Sequence, residues 1–97
     1  MRPVHPGEVL REDYLKPLNM SVRALASALK VSPSRISAIC REQRRMSVDT
    51  AMRIVRYFGG DVQSWMNLQM VHDIKVASPN LSSVHYEVRP RGVVTSR

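Results

Sequence analysis

Apolar residues along this chain recur at helical spacing in short runs, each bounded by turn-forming residues. Leu10, Tyr14, Leu15 and Leu18 predict a first helix. His5-Pro6-Gly7-Glu8 opens it, because proline is tolerated in a helix's first turn and Glu8 complements the dipole there. Pro17 lacks the amide that the hydrogen-bond ladder needs, which predicts an end or kink near Lys16. Ser21 reads as the next N-cap, with Val22, Leu25, Ala26 and Leu29 inward and Arg23, Ser27 and Lys30 outward. After a break at Val31-Ser32, Ser32 caps again and Pro33 takes the first helical position. Ile36, Ile39 and Cys40 then form the inward stripe, and Val31 with Ile36 has the spacing of a hydrophobic staple.

The loop Glu42-Gln43-Arg44-Arg45-Met46 leads to Ser47, a further cap with Asp49 in its first turn. Val48, Ala51, Met52, Val55 and Phe58 give that helix an apolar face, and Gly59-Gly60 closes it. Asp61 caps a last helix from Val62 to about Ala77. Two stripes run along it, Trp65 with Leu68 and Met66 with Met70 and Ile74, so it is either central or has a second partner. Trp65 is expected to plug the core. Beyond Ser78-Pro79-Asn80, Val84, Tyr86 and Val88 alternate with His85, Glu87 and Arg89, the period of a half-buried strand. The expected fold is therefore all-α: a compact bundle of about five helices with a central helix-turn-helix, plus a short C-terminal β-strand. Residues 1–77 would form the domain, and 78–97 a tail with its strand at 83–89. Such a strand pairs with its copy in a second subunit, docks on another protein, or stays loose.

Charge narrows the function. Fifteen Lys and Arg against eight Asp and Glu give a net +7 over 97 residues, which points to a polyanionic partner. Eight of those cations and only two acids lie between Met20 and Phe58, so nearly all the surplus sits around the central helix pair. The content of only 5% aromatic residues argues against a stacking platform for single-stranded nucleic acid. One cysteine, Cys40, excludes an intramolecular disulfide and a multi-cysteine metal site; on the inward stripe it reads as a small buried thiol. The first residues lack a signal-peptide core, and no stretch reaches the length of a membrane span. A cytoplasmic protein with no membrane association is expected.

Ser21–Lys30 and Ser32–Arg41 have the dimensions of a helix-turn-helix, whose second helix enters the major groove of duplex DNA. Its outward positions, Ser34, Arg35, Ser37 and Ala38, are the candidate base contacts; Arg35 is the one long donor, suited to bidentate bonding of guanine. Arg41, Arg44 and Arg45, at its far end and in the following loop, are candidate phosphate contacts. Ser21 and Arg23 form a second phosphate clamp at the start of the preceding helix. Palindromic operators require a two-fold protein, so Met66, Met70 and Ile74 are candidate dimer-interface residues, with Val84 and Tyr86 extending the seam.

These residues also carry a resemblance. His5-Pro6-Gly7-Glu8 with Leu10, Ala24-Leu25-Ala26 with Leu29, Val31 and Ser32, and Ile36-Ser37 match a known pattern. So do Arg45-Met46-Ser47, Ala51 with Arg53, Phe58-Gly59, and Trp65-Met66-Asn67-Leu68-Gln69 with Asp73. Over about Arg2 to Val76 the chain resembles the HigA family of antitoxins, within the phage-repressor-like (Cro/cI, XRE) helix-turn-helix class. The resemblance implies a homodimer that binds an operator of its own operon and neutralises a small RelE-like, mRNA-cleaving toxin of the HigB type. Two departures stand out. Glu42-Gln43-Arg44 occupies a place where the family often has glycine before the basic residue, and His72-Asp73-Ile74 replaces a common Tyr-Asp-Leu.

Catalysis finds no support in the pattern. His5, His72 and His85 lack the spacing of a paired-histidine metal site, and His5 before Pro6 reads as a helix-start residue. The four glycines do not cluster into a phosphate loop. No catalytic residue, metal or cofactor is expected. Two other readings stay open: a stand-alone small repressor without a toxin, and a protein–protein adaptor whose basic face binds an acidic partner.

Overall fold

The computed structural model describes residues 2–92; Met1 and the last five residues of the expected tail lie outside the described residues. Helix α1 (Pro6–Val9) continues without a break as a π-helical stretch, Leu10–Leu15. The His5 imidazole caps it, Nδ1 accepting from the Gly7 amide at 2.9 Å in a buried position. The stretch ends at Leu15, ahead of Pro17, and Leu18, expected on the inward stripe, is exposed because the helix has already stopped.

Helices α2 (Val22–Leu29) and α3 (Pro33–Cys40) pack on each other, capped by Ser21 and Ser32 as the sequence predicts. Lys30, in the left-handed region at φ 62°, makes the turn between them, and the Val31 amide donates to Ala26 O at 3.0 Å. Helix α4 (Val48–Phe58), capped by Ser47, packs on α2 and on α5 (Val62–Ala77), which Asp61 caps. The inward stripe of α4 differs from the expected one. Ala51 and Ile54 are buried, with Val55 and Phe58 beside them, whereas Val48 and Met52 are half exposed, one hundred degrees or so off that line.

One contact fixes how α1 meets α3. A Cβ on Gly7 would stand 1.7 Å from the Ile39 carbonyl oxygen, so the α1 backbone touches the last turn of α3 directly. From the π-helical stretch, Arg11 donates to the Cys40 carbonyl and satisfies one of the acceptors that a helix end leaves unpaired. Leu10, Leu25, Ile36, Ile39, Met46 and Ile54 are sealed in the core between these elements, and Trp65 plugs it from α5.

The expected C-terminal strand is absent: among the described residues there is no strand, and Leu81–Glu87 forms a helix, α6. A 3₁₀ turn, Ser78–Asn80, joins it to α5, with Pro79 inside that turn, where its missing amide costs nothing. The alternation of Val84, Tyr86 and Val88 is overridden because no neighbouring strand offers hydrogen bonds, while the helix supplies them locally; the Val88 amide donates to Val84 O at 2.8 Å. A second period was present in the same residues. Met70, Ile74, Ala77, Leu81, Val84 and Val88 recur every three or four positions across the turn. Together α5 and α6 make an arm that stretches the molecule to 53 × 24 × 24 Å.

Replacing Gly7 by alanine should cost about 3 kcal/mol or more, because the clash is with backbone and not with a flexible side chain. Urea denaturation of the parent and the Gly7→Ala variant measures it; a difference near zero contradicts the contact.

Candidate nucleic-acid interface

The local sequence sets α3 with its inward face sealed and its outward face short. Ile36, Ile39 and Cys40 are buried, and burial pushes the Cys40 thiol up, so it remains neutral. Ser34 is exposed and its hydroxyl lies 3.3 Å from that of Ser32. Ser37 and Ala38 are half-buried on the same helix. Short side chains allow a helix to approach another surface closely, as a major-groove reader must.

Arg35 behaves differently from its three neighbours. Its Nη1 donates to Asp49 Oδ2 at 3.1 Å and to Thr50 Oγ1 at 3.4 Å, both on the first turn of α4. Asp49 also accepts from Arg53 Nε at 2.9 Å, and Arg53 Nη1 donates to Leu29 O at 2.9 Å, the last residue of α2. The two arginines, Arg53 foremost, hold the Asp49 carboxyl below its ordinary value.

Of the expected phosphate contacts, Ser21 spends its hydroxyl on the Ala24 amide (3.0 Å), leaving its remaining capacity exposed. Arg23, Arg41 and Arg44 are exposed and form no ion pair among the described residues. Arg45 is exposed too, yet pairs with Asp73 of α5 at 2.6 Å. That pair, being solvated, adds little to stability; it fixes where the loop lies. The Arg45 hydrogen bond is the main reason that the Asp73 carboxyl sits below its ordinary range.

A residue outside the expected set anchors this loop. Gln69 is fully buried on α5, its Oε1 accepting from the Met46 amide at 2.7 Å and its Nε2 donating to Asp73 Oδ1 at 2.9 Å. The signal was a spacing of four: Trp65, Gln69 and Asp73 lie one above another on α5. The departure at Glu42 also has its geometry. Glu42 adopts φ 62°, the left-handed conformation that closes α3, and the Gln43 amide donates to Ala38 O at 2.9 Å. Arg11, 3.6 Å from the Glu42 carboxylate, holds it from the π-helical stretch. His72, at the second departure, packs edge-on against His5 with ring centroids 4.8 Å apart.

Among the described residues, Ser21, Arg23, Ser34, Ser37, Ala38, Arg41 and Arg44 thus lie on α2, α3 and the segments that flank them, whereas Arg35 and Arg45 are tied to acids of α4 and α5. No group of three or more His, Cys, Asp or Glu suited to a metal occurs among the described residues. The expected interface residues Met70, Ile74, Val84 and Tyr86 are exposed on the α5–α6 arm, whereas Met66 is partly buried against the core. No helix among the described residues is long and apolar enough to cross a membrane.

Comparison with known proteins bears on this surface. Residues 12–65 match the helix-turn-helix family. Virulence-associated protein I of Dichelobacter nodosus is 58% identical over 85 residues, 88% of this chain and 79% of that protein. Among solved structures, the Pseudomonas aeruginosa antitoxin HigA with the higBA promoter superposes with a TM-score of 0.85 at 43% identity, covering 93% of this chain and 99% of that one. A further P. aeruginosa structure, of a protein in complex with its 18-bp operator DNA, gives a TM-score of 0.83 at 45% identity, covering 93% of this chain and 98% of that one.

Truncating Gln69 to alanine leaves the buried Met46 amide without its acceptor and opens a hole beside Trp65. A loss of roughly 2–4 kcal/mol in unfolding free energy is expected by chemical denaturation. An unchanged midpoint contradicts the anchoring role.

Proposed function

The chain belongs to the Cro/cI-like helix-turn-helix family, in the branch that includes the HigA antitoxins, and from that premise we propose that it is the antitoxin of a type II toxin–antitoxin module. It acts as a homodimeric, sequence-specific DNA-binding repressor of its own operon, and it neutralises a small RelE-like, mRNA-cleaving toxin by direct binding. The observation that carries the reading is the outward face of α3, short and polar, rimmed by the exposed cations Arg23, Arg41 and Arg44. Solved structures similar over nearly their whole length hold promoter or operator DNA, one of them with the antitoxin HigA, which supports the same reading.

In this reading Ser34, Arg35, Ser37 and Ala38 address base edges, and Ser21, Arg23, Arg41, Arg44 and Arg45 hold phosphates. Arg44 adds affinity without sequence information. Met66, Met70, Ile74, Val84 and Tyr86 form the dimer interface. The exposure of Met70 and Ile74, 53% and 60%, supports it, since side chains this apolar are stabilised by a covering partner.

Arg35→Ala is expected to cost about 1–3 kcal/mol and to relax specificity at one base pair. Arg44→Ala should weaken binding to all sequences alike and reduce the salt slope by about one. Fluorescence anisotropy on operator and scrambled duplexes across a salt series reads both; equal affinity of the parent for the two duplexes defeats the sequence-specific role. The toxin role is tested by growth. The small reading frame beside this gene, expressed alone from an unrelated promoter, should arrest growth, and co-expression of this chain should restore it. A harmless neighbour, or arrest without relief, reduces the function to that of a stand-alone repressor.

A further inference from the structure

We propose that Asp49 is a positioning residue for base recognition, which grips one end of the Arg35 guanidinium and aims its free edge at the DNA. This rests on the DNA-reading role given to Arg35 above. Only Nη1 of Arg35 is engaged, by Asp49 Oδ2 and Thr50 Oγ1. The Nε–Nη2 edge forms no hydrogen bond among the described residues, and the side chain is 30% exposed. That edge carries two parallel donors, the fork that matches the O6 and N7 acceptors of guanine.

Asp49 is itself immobilised. Arg53 binds the same carboxylate oxygen and anchors on the Leu29 carbonyl, so a continuous line of hydrogen bonds runs from the end of α2, through α4, to the head of Arg35 on α3. Thr50 is buried and accepts from Ser47 Oγ at 3.1 Å, which fixes the second grip. A long, rotamer-rich side chain is thereby ordered before any ligand arrives, and ordering of that kind is what a free arginine has to lose on binding.

The charge pattern argues in the same direction. Between Met20 and Phe58 the chain carries two acids, Glu42 and Asp49. A carboxylate beside a phosphate-binding surface opposes binding to every sequence. Asp49 is half exposed on the first turn of α4, next to α3, so its presence weakens general affinity. Through Arg35 it sharpens discrimination at one position, which is how a specificity residue differs from an affinity residue. A purely structural staple between α3 and α4 predicts otherwise: its removal loosens α3 and weakens all positions together.

The test begins with a duplex selected from random sequence by the parent protein. The parent, Asp49→Ala, Arg35→Ala and the double variant are then titrated against that duplex, all its single-base-pair variants and a scrambled control. Asp49→Ala should lose about tenfold or more in discrimination at the base pair that Arg35→Ala affects. Other positions should remain within about twofold, with binding to the scrambled control slightly tighter. On the Arg35→Ala background, Asp49→Ala should add nothing at that base pair. A discrimination profile that superposes on the parent's, or a uniform loss at every position, overturns the proposal. Should Asp49→Ala lack the parent's helical circular dichroism, Asp49→Asn keeps the side-chain shape and removes the charge. It is expected to lose discrimination at the same base pair by a smaller factor, and an unchanged profile overturns the proposal equally. If the parent enriches no sequence at all, the DNA-reading role fails and this proposal with it; enrichment without a shared Asp49 and Arg35 position removes this proposal alone.

Discussion

The Ile39 carbonyl lies so close to the Cα of Gly7 that no side chain fits between them, and that backbone contact decides where α3 sits. A helix that presents one face outward must be held on its other faces and at both ends. The C-terminal end of α3 is held by α1, through Gly7, and by the π-helical stretch after it, through the Arg11 donation to the Cys40 carbonyl. Its inward face is held by Ile36 and Ile39, sealed in the core. At the N-terminal end Ser32 caps the helix, and Arg35 ties it to the first turn of α4. His5 is part of the same arrangement, because its imidazole starts α1 at the register that brings Gly7 against Ile39. The glycine-containing opening of the chain, far from the outward face of α3 in sequence, is therefore the support on which that face depends.

Helix α5 serves the same end from the other side. Trp65, Gln69 and Asp73 occupy successive turns of one face, and each makes a different kind of contact: apolar packing, a buried hydrogen bond to the Met46 amide, and an ion pair with Arg45. The loop after α3 is short of apolar residues, since Met46 alone in it is buried. Polar anchors therefore do the work that packing does elsewhere. The buried amide bond is the stronger of the two polar anchors, because a solvated ion pair gains little against water. Arg44, immediately before the two anchored residues, is exposed and forms no ion pair among the described residues.

Much of this organisation was legible in the sequence, and for local reasons. Ser21, Ser32, Ser47 and Asp61 each accept from a backbone amide three residues on, and a cap of this kind depends on its own turn alone. The ends at Leu15, Lys30 and Gly59 are equally local. What escaped were features settled by neighbours. The rotation of α4 that buries Ile54 and exposes Val48 and Met52 depends on where α2 and α5 lie. Gln69 reads as a polar residue in a helix until Met46 is placed beside it. On the candidate surface, Ser34 and Arg44 stand outward as the pattern implies, but the ties of Arg35 to Asp49 and Arg45 to Asp73 span 14 and 28 residues, beyond any local period.

The C-terminal arm shows how two periods compete in one stretch. Alternation over Val84, Tyr86 and Val88 covers three apolar positions, whereas the helical recurrence of Met70, Ile74, Ala77, Leu81 and Val84 begins well before Pro79 and continues past it. A strand needs a neighbour for its amides; a helix satisfies them within itself, so with no second strand among the described residues the helix wins. The outcome places apolar residues of α5 and α6 along one arm. Ile74, Ala77, Leu81 and Val84 line a common groove, which alternation in a strand would have divided between two faces. A radius of gyration of 17.1 Å, against about 13 Å for a compact chain of this length, measures how far that arm departs from the core. An arm that leaves its own core carries its apolar groove away from that core. The two-fold arrangement proposed for this chain covers that groove without disturbing the α1–α3 contact on which the outward face of α3 rests.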